Sequence, residues 1–164
     1  MRVLAALSAL VLAAAASSAF AQDAAASGQN VVRNGRAGGL LLESVEVGPG
    51  ASYLYIGGHA AALLDPADPA KGYGDTRTQT LSTLSKIKTV LERRGYAMSD
   101  LIKLTIFVVA DPATGQADYA AVNAAYREYF LNEANANTVV RTALEIKAIQ
   151  VPGLLVEIEG VAAR

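Results

Sequence analysis

An arginine and two carboxylates stand in the most strand-like segments of this chain. Arg141 lies within VVRTALEI, and Glu157 and Glu159 lie within LLVEIEGVA. An arginine presents a planar fork of N–H donors that can hold a carboxylate by two hydrogen bonds, and a glutamate can accept and return a proton. Together these residue types suit the binding of an anionic small molecule and the transfer of one proton.

Other kinds of chemistry lack the residues they need. The chain has no cysteine and one histidine, His59, so it offers no thiolate nucleophile and we expect no metal site. Gly57 and Gly58 in YIGGHA form no phosphate-loop pattern, and they indicate either a bulge or a close approach of a ligand to the backbone. The net charge of −1 gives no electrostatic case for a nucleic-acid partner.

Alternation along the last two strands predicts which side chains share a face of the sheet. In the first strand we expect Thr142 and Leu144 to meet the helices and Arg141 to lie on the opposite face. In the second we expect Val156 to meet the helices and Glu157 to share the face of Arg141. Apolar residues accompany these charges, so this face suits either a subunit interface with embedded polar sites or an exposed face with ordinary ion pairs.

The N-terminal half predicts a hairpin followed by a helix. Residues 40–57 alternate around a Gly-Pro-Gly turn, which favours two antiparallel strands. After a loop, apolar residues recur at the helical period, and this stripe predicts a helix that begins at Asp75 or Thr76 and ends at Gly95. The stripe consists of Leu81, Leu84, Ile87 and Leu91.

The C-terminal half predicts a strand, a helix and two further strands. The strand covers residues 101–111, and the helix covers residues 116–133, with tyrosines at helical spacing that we assign to the core. The last strands, at about 139–149 and 154–162, are joined by a Pro-Gly turn. The order ββαβαββ predicts an α+β fold with both helices on one face of the sheet.

The first residues predict a secretory signal peptide rather than a retained membrane anchor. An apolar, alanine-rich run follows Arg2, and Ala19-Phe20-Ala21 has the form of a signal peptidase site. We therefore expect cleavage after Ala21, no membrane attachment of the mature chain, and a periplasmic or secreted protein. A flexible arm over residues 22–38 would then precede a single domain over residues 39–164.

The chain from about Gly57 to Ala163 resembles the reactive intermediate deaminase family, also called the Rid or YjgF-type family. The matching words occur in the family's order: QTLSTLSKIKTVLERRG, SDLIKLTIFVVAD, DYAAVNAAYREYF, VRTALEIKAI and LVEIEGVA. The resemblance implies a ββαβαββ protomer like that of trimeric chorismate mutase, assembled as a homotrimer with sites in the clefts between subunits. It also implies cofactor-independent hydrolysis of enamines and imines, such as 2-aminoacrylate, to 2-keto acids and ammonia.

The resemblance assigns roles to individual residues. Arg141 corresponds to the arginine that binds the substrate carboxylate, and Glu157 corresponds to the glutamate that activates water. Glu159 is the alternative candidate for that acid. Asn123 corresponds to an asparagine of the family's second helix. The stretch Gly57-Gly58-His59 corresponds to the glycine-rich strand end whose backbone contacts the ligand.

Several neighbours of these residues depart from the family pattern. Val139-Val140 replaces the usual Pro-Ala before Arg141, and Ala143 replaces a common cysteine after it. Gly57 replaces a serine, so a hydroxyl is lost. These departures favour an alternative, in which the same trimeric scaffold is a non-catalytic protein that binds a small carboxylate or acts as a holdase-like interaction partner.

Overall fold

The computed structural model describes residues 30–164, so the predicted signal peptide and residues 22–29 of the predicted arm lie outside the described residues. Short 3₁₀ turns precede α1 and β4. The regular elements, in chain order, are β1 (Val31–Asn34), β2 (Ser44–Val47), β3 (Tyr53–Ala60), α1 (Thr76–Arg93), β4 (Leu101–Val109), α2 (Tyr119–Arg127), β5 (Val140–Ile146) and β6 (Val156–Ala163).

Four strands form a mixed sheet in the order β3-β6-β4-β5. The pairs β3–β6 and β6–β4 are antiparallel, whereas β4 and β5 are parallel. Both helices pack on one face of this sheet, which confirms the predicted α+β fold. Because β4 lies between them, β5 and β6 are not neighbours although they follow each other in the chain. None of the helices within residues 30–164 is long and apolar enough to cross a membrane.

Helix α1 begins and ends at the residues that the sequence indicated. The Asp75 carboxylate accepts a hydrogen bond from the Thr78 amide at 2.7 Å, and Gly95 terminates the helix with a φ of 75°. A positive φ favours glycine because a Cβ there is crowded by the backbone. The apolar stripe of α1 faces β4 and β6, where every second side chain is buried; the fully buried members are Leu84, Ile87, Leu91, Leu104, Ile106, Val108, Val156 and Ile158.

We predict that Asp75→Ala lowers the free energy of unfolding by about 1 kcal/mol, because the first turn of α1 loses its cap. Asp75→Asn is the matched control and should lose much less, since an asparagine oxygen also caps helices. Hydrogen bonds from Thr78 lower the pKa of Asp75, so this stabilisation is complete above the carboxyl group's unfolded pKa and is lost as the pH falls through its folded value. Urea unfolding of the three proteins, followed by circular dichroism, measures the difference; equal midpoints for all three would contradict the capping role.

The N-terminal strands pair differently from the sequence-based expectation. Strand β2 pairs with β1, and β3 pairs with β6, so the predicted hairpin over residues 40–57 is wrong. Strand β1 itself lies in the stretch that we expected to be a flexible arm. Arg33 explains its placement, because Nη2 donates to the carbonyl oxygens of Ser99 at 2.7 Å and Leu101 at 3.2 Å. These bonds tie the β1–β2 hairpin to the start of β4.

The sheet face opposite the helices, which we call the open face, carries exposed aromatic side chains. Tyr55 is 77% exposed and Tyr53 is 47% exposed. Phe107 and Val161 lie partly exposed on the same face, between charged residues. Large apolar groups left in water on one sheet face are typical of a surface that a partner covers. Along β3, β4, β5 and β6 the open face comprises Tyr53, Tyr55, Lys103, Thr105, Phe107, Leu144, Glu157, Glu159 and Val161.

Candidate functional site

Arg141 lies on edge strand β5 and points toward helix α2. Its Nη2 atom donates a hydrogen bond to Oδ1 of Asn123 at 2.6 Å, and its Cζ atom lies 4.6 Å from the centre of the Tyr126 ring. Asn123 and Tyr126 are three residues apart on α2, so both face the same strand. The structure therefore brings together two of the predicted site residues, Arg141 and Asn123.

The predicted face of Arg141 is wrong. Arg141 and Ala143 face the helices, since Ala143 packs against the core, whereas Leu144 is 36% exposed on the open face. Glu145 follows the same alternation, because its carboxylate accepts a hydrogen bond from the Ala117 amide just before α2. Alternation correctly grouped these side chains but assigned them to the wrong side of the sheet.

The Arg141 guanidinium is shielded from water without a counter-charge. Nε and Nη1 are buried and have no hydrogen-bond partner, and within residues 30–164 no carboxylate forms an ion pair with this group. Burial lowers the pKa of Arg141, and the nearby Tyr126 opposes that shift. An arginine remains protonated in proteins, so these buried donors stay charged and lack an acceptor. Buried donors without an acceptor are costly, and an anionic ligand is one group that supplies the missing acceptor.

Glu157 lies on β6 beside the glycine pair of β3. The register runs from Ile56 opposite Gly160 to His59 opposite Ile158, so Gly57 and Gly58 form a bulge. A Cβ at Gly58 would collide with the Glu157 carboxylate. A larger residue at Gly58 would therefore displace the Glu157 carboxylate from its present position, and the structure brings together two further predicted site residues, Gly58 and Glu157.

Arg141 and Glu157 do not meet within one protomer. Val156 and Ile158 are fully buried under the helices, so Glu157 between them points to the open face, opposite to Arg141. One strand also separates them, since Leu104 of β4 pairs with Arg141 and Phe107 of β4 pairs with Glu157. Standard sheet spacings put their backbones about 14 Å apart. A single substrate cannot contact both side chains of the same copy.

The remaining candidates occupy two other places. His59 lines a recess beside α1 together with Lys86 and Arg93, and Lys86 donates a hydrogen bond to the carbonyl oxygen of Ala60 at 2.7 Å. Glu159, the fallback acid, lines a shallow groove of the open face with Lys103. The structure therefore separates the His59 and Glu159 side chains from Arg141.

Tyr126 is the residue whose role the sequence did not reveal. The tyrosine stripe of the second helix was assigned to the core; Tyr126 is fully buried, but Tyr119 is 38% exposed, so the assignment is wrong for Tyr119. Tyr126 also supports Arg141, which the spacing of three residues from Asn123 could have indicated. No cluster of three or more potential metal ligands occurs in the described part of the chain.

Comparison with known proteins identifies the fold family. A family model described as endoribonuclease L-PSP matches residues 50–164. The chain belongs to the Rid/YjgF family. This confirms the resemblance seen in the sequence, and it places β3 and everything after it inside the matched region, whereas β1 and β2 precede that region.

Individual relatives agree with this assignment. A RutC family protein of Pyrococcus horikoshii is 33% identical over 114 residues, which cover 68% of this chain and 79% of that protein. A 2-iminobutanoate/2-iminopropanoate deaminase of Salmonella typhimurium is 33% identical over 101 residues, which cover 60% of this chain and 73% of that protein. Among solved structures, a Rid family protein of unknown function from Yersinia pestis superposes with a TM-score of 0.64 at 24% identity and covers 83% of this chain and 100% of its own.

Proposed function

We propose that this Rid family member is a cofactor-independent deaminase that hydrolyses 2-imino acids and their enamine tautomers. In this reaction water adds to the imine carbon, the C–N bond breaks, and a 2-keto acid and ammonia leave. The observation that carries the proposal is the buried, uncompensated guanidinium of Arg141, which Asn123 holds at 2.6 Å. A substrate carboxylate supplies the acceptor that this guanidinium lacks.

We further propose that the complete site forms between two copies of the chain in a homotrimer. Arg141 of one protomer would bind the substrate carboxylate, and Glu157 of the partner subunit would orient water and accept its proton as the imine carbon is attacked. The same carboxyl group would then return the proton to the departing nitrogen. The separation of Arg141 and Glu157 on opposite sheet faces supports a shared site, as do the exposed aromatic residues of the open face.

The bulge of β3 gives this site a place for the substrate. Gly57 and Gly58 lie on an edge strand beside the Glu157 carboxylate, and neither carries a side chain that would fill the space. A substrate held by Arg141 of one protomer would contact the backbone of this bulge in the partner subunit. Its imine carbon would then lie near Glu157 of the partner subunit. Positioning and one proton relay are sufficient, because imines also hydrolyse spontaneously.

We predict that the mature protein accelerates the release of ammonia and keto acid from imines that an amino acid oxidase generates in the assay. Acidic, neutral and aromatic amino acids should be tried as imine sources. Disappearance of the imine is followed by trapping with semicarbazide, and keto acid is measured separately. Rates equal to the spontaneous background with every amino acid would overturn the proposed activity. Calorimetric binding of 2-oxobutanoate without any turnover would instead favour the non-catalytic carboxylate-binding protein.

A further inference from the structure

One stacked ring and a chain of two hydrogen bonds hold the Tyr126 ring, whose face lies against Arg141. The Phe130 ring stacks on the Tyr126 ring with centroids 4.3 Å apart. The Tyr126 hydroxyl lies 2.7 Å from Oγ1 of Thr138, and Thr138 Oγ1 lies 2.7 Å from the carbonyl oxygen of Leu40. Tyr126 is fully buried and Thr138 is 6% exposed, so the hydrogen bond between their hydroxyls is buried.

The direction of each hydrogen bond in this chain follows from the protons available. A carbonyl oxygen only accepts, so Thr138 must donate its single hydroxyl proton to Leu40. The Tyr126 hydroxyl must therefore be the donor in its bond to Thr138. Burial raises the pKa of Tyr126 and so keeps this proton in place. The result is a neutral phenol whose orientation is fixed from Tyr126 through Thr138 to Leu40.

The Tyr126 ring and the Asn123 amide hold the Arg141 guanidinium without neutralising its charge. An aromatic face attracts a cation through its quadrupole, and the amide oxygen of Asn123 adds one hydrogen bond, yet neither carries a full negative charge. A carboxylate in the same place would compete with an anionic ligand for Arg141. The contacts that surround Arg141 therefore leave its charge uncompensated.

We propose that Tyr126 and Thr138 are positioning residues that orient Arg141 for carboxylate binding. The inference rests on the proposed function, because it takes Arg141 as the carboxylate anchor. It also extends the site beyond the matched region, since Leu40, which ends the hydrogen-bonded chain, precedes residue 50. The segment between β1 and β2 thus contributes to the orientation of a side chain on β5.

The test compares Tyr126→Phe and Thr138→Val with the matched control Tyr129→Phe. Tyr129 lies two residues after the end of α2 and also donates one hydrogen bond, to the Leu81 carbonyl oxygen, whereas the polar and aromatic contacts of Arg141 are with Asn123 and Tyr126. We expect the first two variants to raise the Kd for 2-oxobutanoate about five-fold, the effect of losing one neutral hydrogen bond. KM should rise with kcat nearly unchanged, because the lost interaction orients a group that binds substrate and transition state alike.

A second measurement keeps this inference separate from the proposed activity. NMR of arginine-labelled protein, with Arg141→Ala to assign the signal, reports how fast the Arg141 Nε–H exchanges with water. Exchange should accelerate in Tyr126→Phe and Thr138→Val but not in Tyr129→Phe. Wild-type protein that binds no keto acid overturns the proposed function alone. Variants at Tyr126 and Thr138 that match Tyr129→Phe in Nε–H exchange overturn the positioning role.

Discussion

Arg141→Ala is expected to reduce kcat/KM for imine hydrolysis by about 100-fold or more, because the loss of two charge-assisted hydrogen bonds to a carboxylate costs roughly 3 kcal/mol. The kcat/KM of Arg141→Lys should lie between those of the wild type and Arg141→Ala, since lysine keeps the charge but cannot form the planar fork. Keto acid release from oxidase-generated imine measures both effects. The same order, with wild type tightest, is expected for 2-oxobutanoate affinity by calorimetry.

A control variant and a measurement of assembly distinguish loss of substrate binding in Arg141→Ala from a structural effect of the substitution. Arg77→Ala is the control for loss of a positive charge, because Arg77 forms an exposed ion pair with Glu128 whose removal should cost less than about 1 kcal/mol. Its turnover should equal that of the wild type. Light scattering after size exclusion compares the assembly of all variants. If Arg141→Ala loses the assembly that the wild type shows, Arg141 is structural; if the variant retains full activity, Arg141 does not bind substrate.

The helices were predictable because their signals are local. Asp75 before the apolar stripe and Gly95 after it specify the ends of α1 whatever else the chain does, and Leu84 and Leu91 specify its buried face. Helix α2 is shorter than the expected 116–133 at both ends. Asp118 caps its first turn, and beyond Arg127 the amides of Glu128 and Tyr129 bond carbonyl oxygens only three residues back, which ends the α-helical pattern. The apolar residues Phe130 and Leu131 continue the helical spacing past this end, so the sequence pattern does not locate it.

The face of Arg141 was not predictable from alternation alone. A period of two tells which side chains share a face, but only burial tells which face meets the helices. In β5 the set containing Leu144 is the more apolar, so it was expected to face the core. The open face also carries Tyr55 and Phe107, however, so apolar character does not distinguish the two sides of this sheet. Which face meets the helices therefore depends on the packing of the whole sheet and is not encoded in one strand.

Non-local pairing also limited the prediction of the N-terminal strands. A Gly-Pro-Gly turn between two alternating segments favours a hairpin, and this is how residues 40–57 were interpreted. The observed β1–β2 pairing is accompanied by contacts distant in sequence, since Arg33 of β1 binds the carbonyl oxygens of Ser99 and Leu101, 66 and 68 positions away. The same limit explains why the role of Tyr126 was missed, since its partner Arg141 lies on a different element.

We expect a shared site to reveal itself by complementation between two inactive variants. Arg141→Ala lacks the carboxylate anchor, and Glu157→Gln has lost the proton acceptor with almost no change in shape. The two variants are mixed in equal amounts, unfolded and refolded together, so that they form mixed trimers. A cleft is then active only when the Glu157→Gln variant supplies Arg141 and the Arg141→Ala variant supplies Glu157. Random mixing in a closed ring then restores about a quarter of the wild-type activity. Each variant refolded alone should stay inactive.

The matched control mixes wild type with the double variant Arg141→Ala/Glu157→Gln. Refolded separately and then combined, they retain about half the activity of pure wild type; refolded together, they should fall to about a quarter, because half of the intact residues then face a defective neighbour. If Arg141 and Glu157 served the same substrate from one protomer, the first mixture would stay inactive and the second would remain at about half. Because the two side chains lie on opposite faces of one sheet, we expect recovery in the first mixture and loss in the second.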